Sequence, residues 1–149
     1  MTDDVAAALN ENQSGYNRAM GLRFVTARAD MVVVEWEVGE THLQPYGIVH
    51  GGVYSGVIET VCSVGAALAA RSRDQGVVGL ENQTTFLKAV RSGRLRATAQ
   101  PLLRGRRTQV WQADVVNETG ELVASGRVRL ICLEADAKLA GTTLKLPSD

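Results

Sequence analysis

The residue types best suited to chemistry stand together in one stretch, HLQPYGIVHGGVYSGVIETVCSVGAALAA, from His42 to Ala70. It holds one acid, Glu59, among almost uniformly small and apolar residues. On a helical wheel of about 100° per residue, Gly52, Ser55, Gly56, Cys62, Ser63, Ala66 and Ala70 share the side of Glu59, while Val53, Val57, Val61, Val64 and Leu68 form the opposite stripe. An isolated Glu on a helix is ordinarily solvated. The small flanking residues argue for enclosure instead, and a carboxylate enclosed without partners has its pKa raised toward the range useful for base catalysis. Glycine at 52, 56 and 65 costs a helix roughly 1 kcal/mol each relative to alanine, so close approach of another helix, a partner subunit or a ligand is expected to offset it.

The lead-in PYGIVHGG supplies a second element. Gly51 and Gly52 open the helix, where about four backbone N–H groups lack internal acceptors and, with the helix dipole behind them, suit a developing oxyanion. Glu59 lies about 12 Å further along the axis than Gly51, too far for both to act on one carbonyl within a single chain. Two copies meeting across their small faces would bring Gly51 of the partner subunit to Glu59. His50 reads as a capping or orienting residue and His42 as part of a polar loop. Ser63, four residues beyond Glu59, either holds a water for the carboxylate or bonds back to its own helix. There is no Gly-x-Ser-x-Gly elbow, which gives a serine-nucleophile hydrolase little support.

These residues need a scaffold, and 149 residues at 45% hydrophobic and 21% charged suit one domain over 1–149 with a proper core, about 21–133. Sixteen basic residues balance sixteen acidic ones, so no global field draws the chain to nucleic acid or an anionic membrane, and neither is expected as a partner. Cys62 and Cys132 lack C-x-x-C spacing and any metal-ligand cluster, and read as free, buried thiols with no metal. The start, MTDDVAAALNENQSG, is acidic, and its apolar run is too short for a signal peptide or a membrane span, so a cytoplasmic location is expected. In that compartment the Asn-x-Ser/Thr matches at Asn12, Asn82 and Asn117 meet no glycosylation machinery and are set aside.

From Gly21 to Val38, two β-rich runs divided at Ala29-Asp30 predict a short hairpin, with Val32, Val34, Trp36 and Val38 alternating against Met31, Val33, Glu35 and Glu37. After the helix, strands are expected over Val77–Val90, Arg94–Leu103, Thr108–Asn117 and Leu122–Leu133, joined in a meander by turns at RSG, RGRR and NETGE. Leu95, Ala97 and Ala99 form a dry face against Arg94, Arg96, Thr98 and Gln100. The expected fold is α+β: a short helical lead-in and one long central helix wrapped by a curled antiparallel sheet of about six strands. The tail over 134–149 is weakly patterned and expected to be loosely held.

The order of elements, with GIVHGGVYSGVIETVCSVGAA, resembles the hotdog-fold acyl-CoA thioesterases, in the branch of the phenylacetate-pathway type and the Arthrobacter-type 4-hydroxybenzoyl-CoA thioesterases, over about Gly21 to Leu133. The resemblance implies hydrolysis of a CoA thioester to the free acid and CoA, in aromatic acid metabolism, without metal or redox cofactor. It implies that Glu59 is the nucleophile or general base and that Gly51 donates its N–H to the thioester carbonyl. The polar loop residue six positions before the histidine falls on Gln44, and the hydroxyl one turn beyond the acid on Ser63; with His50 these would orient the participants. Pairing Gln44 with Glu59 is similar to the 4-hydroxybenzoyl-CoA subgroup and leans toward aryl or arylacyl thioesters, with Tyr46, Tyr54 and Phe86 as candidates for pocket depth. The family assembles its site across a dimer, which implies at least a homodimer here and beyond it a homotetramer.

For the CoA phosphates, Arg104, Arg106, Arg107 and Thr108 of LLRGRRT form the obvious cation cluster, although such a hairpin is also an ordinary solvated turn. Lys88 and Arg91 are a second candidate. Two other hotdog activities compete with hydrolysis. A non-catalytic acyl-CoA-binding module would need an output domain for which 149 residues leave no room. A dehydratase or hydratase needs a catalytic His paired with an acid, and the proline-rich loop of one such branch is missing between His50 and Glu59.

Overall fold

The structure, a computed structural model, describes residues 3–144. Two short helices, α1 (Ala6–Glu11) and α2 (Gly15–Ala19), lead into β1 (Arg23–Arg28) and β2 (Met31–Glu37). The long helix α3 (Gly51–Ala70) follows, then β3 (Gln75–Phe86), β4 (Arg94–Arg104), β5 (Thr108–Val116) and β6 (Leu122–Glu134). The six strands form one antiparallel sheet in the order β1-β2-β4-β5-β6-β3.

That order corrects the expected meander. Strands β4, β5 and β6 do run consecutively, but β3 pairs with β6 at the far edge, Val77 opposite Cys132 and Phe86 opposite Ala124. Residues 87–93 therefore form a crossing rather than a tight turn at RSG. This connection bonds what it passes: Leu87 N–H donates to Val123 O, Val49 N–H to Val90 O and Val38 N–H to Gly93 O. The strand also begins at Gln75 and ends at Phe86, four residues short of the expected end.

The core lies between α3 and the concave face. Val32, Val34, Leu95, Ala97, Ala99, Trp111, Ala113, Val115, Val128 and Leu130 are fully buried there against Val57, Ile58 and Val61. At about 25 cal/mol per Å² of apolar surface, this burial is the main stabilising term. A buried amide stitches the layers: Gln109 Nε2 donates to Ala66 O at 2.9 Å while its Oε1 accepts from Trp111 Nε1 at 2.9 Å.

The helix seats rotated from the expected stripe. Cys62, Ala66 and Ala70, assigned to the small face, are fully buried, while Val64 and Leu68 are only partly so. Trp111 causes this: its ring occupies the space where a Cβ on Gly65 would stand, 2.4 Å away, so the helix presses in where it has no side chain. The gap at Gly56 is likewise filled from within the chain, by the Tyr16 side chain of α2. Cys62 is buried as expected, but Cys132 is only half-buried.

The two sheet edges differ. Along β1, Val5 N–H bonds Ala27 O, Asp4 accepts from Ala27 N–H, and Asn10 both donates to Phe24 O and accepts from Phe24 N–H. The lead-in thus covers that edge. The β3 edge is open and carries exposed Leu80 and Phe86. By length and composition α3 with its following turn could cross a membrane, but half of it is buried beneath the sheet. In the tail, Lys138–Leu139 and Thr142–Thr143 pair as a small hairpin, β7 and β8, where loose chain was expected; residues 145–149 lie outside the described residues.

Candidate active site

Three elements build the surroundings of Glu59. It sits half-buried on α3, and Ser63 Oγ donates to its Oε1 at 3.3 Å, so the hydroxyl turns to the carboxylate and not back to its own helix. Asn82 Nδ2 donates to its Oε2 at 3.0 Å. The carboxylate is therefore partnered by a hydroxyl of its own helix and an amide of β3. Gly79 of β3 lies so close that a Cβ there would be 2.4 Å from Oε1. Burial pushes the neighbouring Cys62 thiol well above its ordinary pKa, and the charge of Glu59 adds to the effect, so this thiol stays protonated and inert.

Thr84 and Gly79 were not picked out in the sequence, and Asn82 only as a glycosylation match that was set aside. A β-bulge explains their placement. Gly79 pairs with Leu130 and Glu81 with Arg129, adjacent positions on β6, which leaves Leu80 as an extra residue. Plain alternation from Gly79 would turn 81, 83 and 85 toward the helix; beyond the bulge it is Asn82 and Thr84 that are half-buried, while Glu81, Gln83 and Thr85 are exposed. The available signal was Gly79 and Asn82 within a strand, two residue types that strands disfavour.

At the helix start, His50 is the N-cap and its Nδ1 accepts from Gly52 N–H at 2.8 Å. Capping consumes the second glycine's donor, and the Gly51 N–H, one residue earlier, has no acceptor within its helix. The Phe86 ring packs against the α-carbon of Gly51, where an added Cβ would meet it at 2.6 Å, and Phe86 in turn pairs with Tyr54 at a 6.2 Å ring separation. Burial pushes the Tyr54 phenol up to about 12, and its buried hydroxyl has no hydrogen-bond partner among the described residues.

The loop before α3 holds Gln44, whose Oε1 accepts from Tyr46 N–H. Tyr46 itself is exposed, and Arg91 Nη1 donates to Tyr46 O at 2.8 Å and to Gly47 O at 3.3 Å, which fastens the loop where Gly47 turns with φ of +74°. His42 is buried and structural: its Nδ1 accepts from Gly39 N–H and its Nε2 bonds Met20 O, both at 2.9 Å.

The two proposed groups of cations lie at opposite ends of β5. Lys88 pairs with Glu121 beyond the end of β3. Arg104 donates to Ala29 O, while Arg106 and Arg107 are exposed, with no ion-pair partner among the described residues, beside half-buried Thr108. Arg73 donates to Gly105 O at 2.9 Å and to Arg104 O at 3.3 Å, which places this hairpin at the C-terminal end of α3, away from Gly51.

A carboxylate held between a helix and a strand, with a helix-start N–H that has no acceptor among the described residues, is equipped for attack on a carbonyl or for activation of a water that attacks it. The sequence profile described as Thioesterase superfamily matches residues 46–124, which include Gly51, Glu59 and Asn82. The chain belongs to this superfamily. A 1,4-dihydroxy-2-naphthoyl-CoA hydrolase from Listeria monocytogenes is 34% identical over 76% of the chain and 91% of that protein. Among solved structures, S. sahachiroi AziG is 39% identical with a TM-score of 0.79, covering 83% of this chain and 99% of that one. A Haemophilus influenzae thioesterase superposes with a TM-score of 0.82 at 28% identity, over 90% of this chain and 93% of its own. The fold is the hotdog of this superfamily, and thioester hydrolysis is the superfamily's activity.

Proposed function

We propose that the protein hydrolyses an acyl-CoA thioester with Glu59 as nucleophile or general base. The observation that carries this is the carboxylate of Glu59, half-buried and fixed by Asn82 and Ser63 on the helix that begins with the Gly51 N–H, which has no acceptor among the described residues. In the base route, Glu59 takes a proton from water as its oxygen adds to the carbonyl carbon; in the nucleophilic route, Glu59 adds first and water cleaves the resulting anhydride. Both break the C–S bond and release CoA thiol and the free acid. Gly51 stabilises the oxyanion, while Gln44 and His50 position the loop and helix start. Neither route calls on a metal or redox cofactor.

The site is completed by a second copy. The separation of about 12 Å between Gly51 and Glu59 along α3 supports sharing, with the N–H of Gly51 of the partner subunit at the carbonyl that Glu59 works on. The open β3 edge with exposed Leu80 and Phe86, opposite a covered β1 edge, supports association through β3 in a dimer or a tetramer built from it. An aryl or arylacyl group is the favoured substrate. The Phe86 ring against Gly51, with Tyr54 paired to it, supports it, as does the name of the Listeria relative, whose acyl group is a naphthoyl. Arg106, Arg107 and Thr108, on the hairpin that Arg73 fastens beyond the C-terminal end of α3, hold the CoA phosphates, and the flexible pantetheine arm reaches from there toward the thioester.

The test is a panel of 4-hydroxybenzoyl-, phenylacetyl-, short-chain and long-chain acyl-CoA, followed by thiol release. Turnover of an aryl member above the straight chains is the expected result. Binding without turnover of any member would replace hydrolysis by a non-catalytic acyl-CoA-binding role.

A further inference from the structure

We infer that Asn82 and Thr84 form a positioning relay that fixes which oxygen of Glu59 does the chemistry; this rests on the reading of Glu59 above. Asn82 uses its hydrogen-bonding capacity in one orientation only. Nδ2 donates to Ser55 O at 3.0 Å and to Glu59 Oε2 at 3.0 Å, while Oδ1 accepts from Thr84 Oγ1 at 2.7 Å. A flip of the amide would set Oδ1 against the Ser55 carbonyl and the Glu59 carboxylate, acceptors facing acceptors, and would turn Nδ2 toward Thr84. The Ser55 carbonyl and the Glu59 carboxylate thus set the sense of the amide, and the short bond from the Thr84 hydroxyl anchors its other end, so that Nδ2 is held at Glu59 Oε2.

Room for that hydroxyl comes from Gly126 of β6, where a Cβ would be 2.6 Å from Thr84 Oγ1. The bulge at Leu80 places Asn82 and Thr84 on the helix side of β3 together. The two carboxylate oxygens of Glu59 consequently differ. Oε2 is held by a strand side chain that is itself fixed, and among the described residues Oε1 has only the longer 3.3 Å bond from Ser63. Oε1 is the oxygen free to attack the thioester carbon or take the proton from water. Asn82 and Thr84 act through Glu59 and touch no substrate.

The relay is tested by kcat and KM for the CoA thioester that the wild type turns over fastest, with Thr84→Val, Thr84→Ser, Asn82→Leu and Glu59→Gln measured side by side and melting temperatures taken on each. Thr84→Val keeps the shape and removes the hydroxyl; it should lower kcat about tenfold with KM within about twofold, and Thr84→Ser should restore the rate. Asn82→Leu should lose at least as much; if it fails to fold, the Thr84 pair decides. A kcat within twofold of wild type in folded Thr84→Val, or no recovery in Thr84→Ser, overturns the relay while Glu59→Gln remains inactive. An active Glu59→Gln instead overturns the reading of Glu59, and the relay with it.

Discussion

Replacing Gly79 by alanine should damage catalysis while sparing the fold. Its backbone φ lies outside the left-handed region, so alanine is conformationally admissible. The added Cβ would stand 2.4 Å from Glu59 Oε1, whereas ordinary contact begins near 3.4 Å, so the carboxylate must retreat by about 1 Å. The obstacle is the far end of a flexible side chain, and a small rotation relieves it at little cost in stability. That rotation stretches or breaks the 3.0 Å bond from Asn82 and the 3.3 Å bond from Ser63. A misplacement of about 1 Å at a reacting group can cost up to about 10²-fold in rate, so kcat should fall by about 10- to 100-fold. Thiol-release kinetics at saturating acyl-CoA measure it, with a thermal melt on the same sample. A melting temperature near wild type with reduced kcat is the expected pair. Wild-type kcat in Gly79→Ala would refute the claim that the observed placement of Glu59 is the working one.

Other expectations follow from the same packing. Gly65→Ala drives a Cβ into the buried Trp111 ring, with atoms at 2.4, 2.5 and 2.9 Å; overpacking of about 1–3 kcal/mol less a helix-propensity gain of about 1 should lower the melting temperature by a few degrees. Glu35 lies opposite Arg23 on β1 and Arg96 on β4. Burial alone would push its pKa up, but the hydrogen bonds from Arg23 and Arg96 outweigh burial and hold the carboxyl below its ordinary 4.5. Its stabilisation is present above that value and lost as pH falls through the lower folded pKa, so the melting-temperature gap between wild type and Glu35→Gln should be widest near neutrality and close in acid. Replacing Arg106 and Arg107 together by alanine should raise KM for acyl-CoA several-fold, about 3- to 10-fold, with kcat unchanged; an unchanged KM would remove the hairpin from the CoA site.

Much of this architecture is legible without coordinates because it follows from local chemistry. The dry face Leu95, Ala97, Ala99 is buried as its alternation requires, and His50 caps α3 as its place before Gly51 and Gly52 suggests. What escapes is whatever depends on a distant partner. The place of β3 beside β6 follows from a crossing that no turn motif announces. The seat of α3 depends on Trp111, 46 positions beyond Gly65, so a wheel drawn from the helix alone puts Cys62 and Ala66 on the wrong face. Asn82 is hidden for a third reason: one extra residue at Leu80 reverses the alternation, and no period-two reading crosses a bulge unaided.

The most direct measurement is kcat for the preferred acyl-CoA in Glu59→Gln beside wild type, both confirmed folded by melting temperature. Glutamine keeps the shape and can neither attack nor take the proton. The expected result is a loss of at least about 10²-fold in kcat with the fold intact. A folded Glu59→Gln that turns over within a few-fold of wild type would contradict it and move the chemistry to another group.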